Sequence, residues 1–159
     1  MHSPADINEL LGFAVAQPTG TGNSTGSAYF GMIGAVHCAT CPPDNVKYIH
    51  YIIRFNGTYQ QAINYMFDDD VELAYERVYR ETYDELSGNI LPNGGPNPYV
   101  NSTGGINNQG LEKLFFDFLK KINFDRNHFV LQRVEQDGAI NTITPDDPNN
   151  TTTTATPCT

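Results

Sequence analysis

Tryptophan is absent, so aromatic packing falls to nine Tyr and nine Phe. No stretch approaches the ~20 consecutive apolar residues of a membrane-spanning helix, so no span is expected. Basic residues are few: 9 Lys and Arg stand against 18 Asp and Glu, for a net charge of -9. A surface of that sign repels phosphate backbones and anionic bilayers, so neither nucleic acid nor a membrane is an expected partner. The basic residues are scattered, and only Lys120 and Lys121 are adjacent. Cysteines number three, Cys38, Cys41 and Cys158, and an odd number excludes a fully paired disulfide framework. The catalytic signatures G-x-S-x-G, H-E-x-x-H and the phosphate-cradling P-loop are missing. Met1 to Asp6 carries neither a basic region nor a long apolar one. A secretory signal is therefore not expected, which leaves a virion or the cytoplasm as the location.

What is present fits one core with polar trimmings. A length of 159 residues suits a single domain. Residues 1–27 read as an N-terminal arm and linker: a short apolar segment (Ile7, Leu10, Leu11, Phe13, Val15) precedes a run of Gly, Thr, Asn and Ser. Residues 28–136 read as the body. Residues 137–159, rich in Thr, Asn and Pro, read as a C-terminal arm too polar to order itself.

Within the body, Ala28 to His37 reads as a strand, with Gly31 and Gly34 hinting at a bulge or a close backbone approach. Val46 to Phe55 is the clearest strand: Ile49, Tyr51, Ile53 and Phe55 alternate with Tyr48, His50, Ile52 and Arg54. Asn56-Gly57 is a hairpin dipeptide, so residues 46–67 are expected to form a β-hairpin returning through Thr58 to Phe67. Val71, Tyr75, Val78, Thr82 and Leu86 recur at helical spacing behind an acidic start, where Asp69 and Glu72 suit a capping box. Leu111, Leu114, Phe115, Phe118 and Leu119 mark a second helix over about Gly110 to Ile122, and His128 to Gln136 a last strand. The expected fold is α+β: an antiparallel or mixed sheet of about four strands with two helices on one face.

Candidate sites are sparse. His37, Cys38 and Cys41 form the sharpest cluster, since a C-x-x-C turn can offer two thiolates to a metal. A second C-x-x-C is missing, and Pro42-Pro43 blocks the helix that would activate a redox thiol. Read plainly, Cys38 is a small strand-end residue and Cys41 a turn residue. Tyr75, Tyr79 and Tyr83 form a stripe that suits a broad core face and a subunit interface equally. The loop over 89–109 is long enough to grip a neighbour or cover a ligand. No cofactor is implied.

Three functions follow in order. First comes a non-enzymatic structural subunit of a symmetric assembly, with a virus or phage particle (neck, tail or capsid accessory) as the expected setting. Its partners would be copies of itself and other assembly proteins, and Cys158 would be free to cross-link to Cys38 or Cys41 of a neighbour. Second comes a small metal or redox domain centred on His37, Cys38 and Cys41. Third comes a hydrolase-like enzyme with a dispersed site near His50 and the 89–109 loop.

Overall fold

The computed structural model describes residues 1–17, 28–37, 40, 46–88, 90, 94–102 and 104–158; the side chains of residues 35–37 and 46 fall outside that description. The fold is α+β. Five strands form one antiparallel sheet in the order β1-β2-β3-β4-β5. They are β1 (Tyr29–His37), β2 (Val46–Phe55), β3 (Phe129–Val134), β4 (Ile140–Pro145) and β5 (Thr153–Pro157). Four helices are described: α1 (Pro4–Ala16), α2 (Tyr59–Tyr65), α3 (Asp69–Ser87) and α4 (Asn108–Lys121). A 3₁₀ turn at Arg126–His128 leads into β3.

The alternation expected along β2 holds. Ile49, Tyr51, Ile53 and Phe55 are buried, while Tyr48 and Arg54 on the other face are exposed. The inner residues meet Leu131 and Phe129 of β3, which continue to Ile143 of β4. Over this face pack α1, through Ile7, Leu10, Leu11 and Ala14, and α4, through Phe115, Phe116, Phe118 and Leu119. Helix α3 lies outside them, against α4 and α1. That third-layer position explains why only Thr82 and Leu86 of its nineteen residues are fully buried.

The expected 46–67 hairpin does not form. Strand β2 pairs with β1 and β3, and Tyr59–Tyr65 is helical. A local contest decides this. Thr58 caps α2 by accepting from the Gln61 amide (3.2 Å), and the Gln61 side chain accepts in return from the Thr58 amide (2.7 Å). This reciprocal box supports a helix start that the alternating apolar residues conceal. Gly57 serves close approach rather than a positive φ: a Cβ there would lie 2.4 Å from the Phe55 ring. The tight hairpin joins β3 to β4 instead, at Asp137-Gly138, where Gly138 has φ +86°.

Both expected arms belong to the body where they are described. Ser3 caps α1, donating to and accepting from Asp6 (2.7 and 3.3 Å), and the helix buries four apolar side chains against the sheet, Ile7, Leu10, Leu11 and Ala14. The Thr-rich tail pairs with β4 as an edge strand. Hydrogen bonds order it rather than apolar burial. The turn before β5 offers its carbonyls to three cations: Asn149 to Lys113 (2.7 Å), Pro148 to Lys120 (3.2 Å) and Asp147 to Arg126 (3.2 Å). The composition argument missed these donors because they reside elsewhere in the chain. The linker at 18–27 lies outside the described residues.

Candidate functional site

Two features distinguish the molecule: a buried ionic cluster under a cleft, and a bare sheet face. The cluster centres on Glu112, 2% exposed, early in α4. Its carboxylate accepts from the Tyr51 hydroxyl of β2 (3.1 Å), from Nη1 of Arg133 on β3 and from Oγ1 of Thr153 on β5. Arg133 also donates through Nε to Glu135 (2.7 Å), which Asn141 of β4 approaches at 3.2 Å. Burial, reinforced by the Glu112 charge, raises the Tyr51 hydroxyl far above its usual range. Burial works against the Arg133 charge, but the Glu135 hydrogen bond and the Glu112 charge outweigh it and hold the guanidinium protonated. Arg133 forms part of a cleft of about 310 Å³ with Lys47, Tyr48, Asn108, Glu135 and Asp137.

The chemistry of this cluster is that of a bolt. Three donors from three strands occupy most of the acceptor sites of the one carboxylate, and a permanent cation lies beside it. It ties α4 to β2, β3 and β5 and fixes the tail strand on the sheet.

The other face of the sheet carries Tyr29 and Ile33 of β1 and Tyr48 of β2, which are 65%, 69% and 66% exposed. By register they share this face with His50, Ile52 and Arg54, with Val130, Gln132 and Val134, and with Ile140, Thr142 and Thr144. Among the described residues of the sheet, no carboxylate lies on it, although the chain has 18 Asp and Glu. Acids crowd instead onto α3, with Asp69, Asp70 and Glu72 in its first turn.

The residues singled out in the sequence distribute as follows. Cys38 and Cys41 lie outside the described residues, as does the His37 side chain; the His37 backbone ends β1 opposite Val46. Among the described residues, no three His, Cys, Asp or Glu side chains come together as a metal-ligand set. Cys158 is exposed on the bare face, its Sγ 3.2 Å from Gln132 Nε2 and 3.3 Å from Thr142 Oγ1. Tyr75 and Tyr79 turn inward. Tyr75 packs edge-on against Phe67 and Phe118, and the Tyr79 hydroxyl donates to the Met1 carbonyl (3.2 Å). Burial raises the Tyr79 hydroxyl out of its usual range. Only Tyr83 of that stripe is open, at 41% exposure.

His50 and the 89–109 loop are not brought together. His50 belongs to the bare face, whereas Tyr99 and Ile106 of the loop close a small core with Leu86 and Leu114 on the helical side. Asn97 pins that loop by donating to the carbonyls of Leu86 (2.8 Å) and Gly88 (2.6 Å). The described part of the loop thus grips its own chain. Sequence reasoning missed Glu112 and Arg133 as a pair; no local pattern marks the cluster, because the partners of Glu112 are 21 to 61 residues away.

Comparison with known proteins adds no identity: no family model, curated protein or solved structure matches the chain. Among the described residues, no helix is long and apolar enough to cross a membrane.

Proposed function

We propose that the protein is a non-enzymatic structural subunit of a macromolecular assembly and that it joins a second copy of itself through the bare sheet face. The carrying observation is the combination of three large apolar side chains, each about two-thirds exposed, with strands that place no carboxylate of their own on this face among the described residues, Asp146 reaching only Thr154 of the edge strand β5. A chain of net charge -9 repels its own copies. Two copies meeting through this face keep their acidic helices on the outside and apart. Arg54, the one permanent charge among the described residues of this face, adds no acid to it. The terminal arms do not support assembly, since their described parts fold onto their own body. A virus or phage particle stays part of the proposal as its setting, by analogy of architecture only.

The available area sets the strength. Five strands spaced about 4.8 Å apart, each contributing about 20 Å of length, offer about 480 Å² per copy. A standard interface uses about 800 Å² per partner, so a reversible, concentration-dependent dimer is expected. Light scattering on gel-filtered protein from about 10 µM to about 1 mM should show the mass rising from one chain to two. Ile33→Lys with Tyr48→Lys should hold the mass at one chain while leaving the far-UV spectrum and the melting temperature of the monomer in place. A wild-type mass of one chain at every concentration would overturn the reading, as would dimers that survive the double substitution.

A further inference from the structure

We infer a second, separate site: a cleft at the C-terminal end of α4 that binds a phosphate group, either free or as a small monoester. The cleft has a volume of about 390 Å³, and Tyr65, Lys120, Phe124, Asp125, Arg126 and Asn150 all line it. Two of these are cations, in a protein where several other cations are neutralised by acids. Lys113 pairs with Asp117 (2.8 Å), Lys121 with Glu85 (2.7 Å) and Arg133 with Glu135 (2.7 Å). Lys120 and Arg126 differ. Lys120 donates to the Pro148 carbonyl (3.2 Å), and Arg126 donates to the Asp147 carbonyl (3.2 Å) and the Asn150 side-chain oxygen. These acceptors are neutral, so they orient the two cations without cancelling their charge. Among the described residues, neither cation forms a salt bridge.

The nearby acids are engaged elsewhere. Asp117 accepts from Asn150 Nδ2 (2.8 Å) with one oxygen and pairs with Lys113 through the other. Asp147 accepts from the amides of Asn149 (2.7 Å) and Thr151 (2.9 Å), and against the opposing effect of desolvation these bonds hold it below the usual carboxylate range. Asp125, the one acid in the lining, accepts from the Asn127 amide (2.9 Å) and faces His128 Nε2 at 3.8 Å. Of these acids only Asp117 is neutralised by a cation, so Asp125 and Asp147 keep their charge and set the limit on the positive field of the cleft.

The rest of the lining fits the same class of ligand. An arginine fork beside a lysine point charge is the pairing that phosphate oxygens take up well. The Tyr65 hydroxyl accepts from the Asp125 amide (3.2 Å) and shares a hydrogen bond with His128 Nδ1 (2.9 Å), which holds the ring in place at the cleft. Phe124 stacks on Tyr65 with centroids 4.3 Å apart, giving the cleft an aromatic wall. An aryl group on the phosphate would lie against that wall.

The test is a titration of the full chain with inorganic phosphate and with phenyl phosphate, followed by backbone amide NMR at constant ionic strength against a chloride reference. Saturable shifts are expected at Asn123, Phe124 and Arg126, with phenyl phosphate the tighter ligand. Lys120→Gln, an exposed change that removes one charge and one bond to the turn while leaving the Lys113 and Arg126 bonds to it, should weaken binding by about fivefold. Asp125→Asn should tighten it by about two- to threefold, an opposite sign that general loss of structure cannot produce. Shifts matched by chloride, shifts unchanged in Lys120→Gln, or no saturation by either phosphate would each overturn the inference.

Discussion

Acid should unfold this protein partly through one residue, His2. The imidazole is 1% exposed, and neither ring nitrogen has a hydrogen-bond partner. It lies edge-on to Phe30 at 6.0 Å, with the Asp6 carboxylate 4.0 Å from Nδ1. Burial lowers its pKa from 6.5 to about 4. Asp6 and the Tyr51 backbone oppose this, while the Met1 ammonium and His50 add to it. The folded state thus resists a proton that the unfolded chain accepts. The stability at stake is complete above pH 6.5 and is lost as pH falls through 6.5 towards 4. Each tenfold difference in proton affinity between the folded and unfolded chain is worth ~1.4 kcal/mol, so the loss approaches about 2 kcal/mol by pH 5 and about 3 kcal/mol in full. Urea unfolding of the wild type and of His2→Phe, at four pH values between 7 and 4.5 and constant ionic strength, isolates this contribution. The carboxylates titrate in both proteins and cancel in the difference. His2→Phe should be at least as stable as the wild type at pH 7, because it removes two unpaired polar atoms, and its advantage should grow by about 2 kcal/mol on acidification. A stability difference that stays flat with pH, or an NMR titration of His2 near 6.5, would refute the reasoning.

Other perturbations test the interior. Arg133→Met should cost about 3–5 kcal/mol in urea unfolding, because it strands the Glu112 carboxylate without its cation; adding Glu112→Leu should recover much of that loss. Gly110→Ala lies inside α4, where alanine ordinarily gains about 1 kcal/mol. Here its Cβ would stand 2.5 Å from the Tyr99 carbonyl, so the melting temperature should fall rather than rise. Thr58→Ala removes the cap of α2 and should cost about 1 kcal/mol in urea unfolding. Deleting residues 152–159 removes β5 and the Thr153 bond to Glu112, so amide exchange at β4 should become markedly faster.

Legibility in the sequence followed the range of the interactions. The periodicity of β2 and the apolar stripe of α4 come from side chains that recur within a few residues, and both are found where the sequence places them. The α2 segment misled because Tyr59, Ile63 and Tyr65 look strand-like, while the deciding signal is the Thr58–Gln61 pair. Asp137-Gly138 carried the same hairpin signal as Asn56-Gly57, and what separates them lies outside the dipeptides: Phe55 crowds Gly57, whereas nothing lies within 4 Å of the Gly138 position. The tail was misread for a different reason. Its order depends on Lys113, Lys120, Arg126 and Glu112, at separations of 21 to 41 residues that no local window contains. The same limit hid the Glu112–Arg133 pair and left the cysteine cluster looking sharper than the sites that the fold assembles.

The two proposed sites belong to different layers, and that makes them separable. Lys120, Tyr65 and Arg126 come from α4, α2 and the turn before β3, while the pairing face consists of outward residues of the strands. Dimerisation therefore leaves the cleft open, and a phosphate in the cleft adds charge away from the face that must stay free of it. Ile33→Lys with Tyr48→Lys should abolish the dimer while leaving the phosphate titration unchanged, and Lys120→Gln should do the reverse. If either variant altered both measurements, the division of the molecule into an outward sheet for assembly and a helical side for ligand would fail, whichever site survived alone.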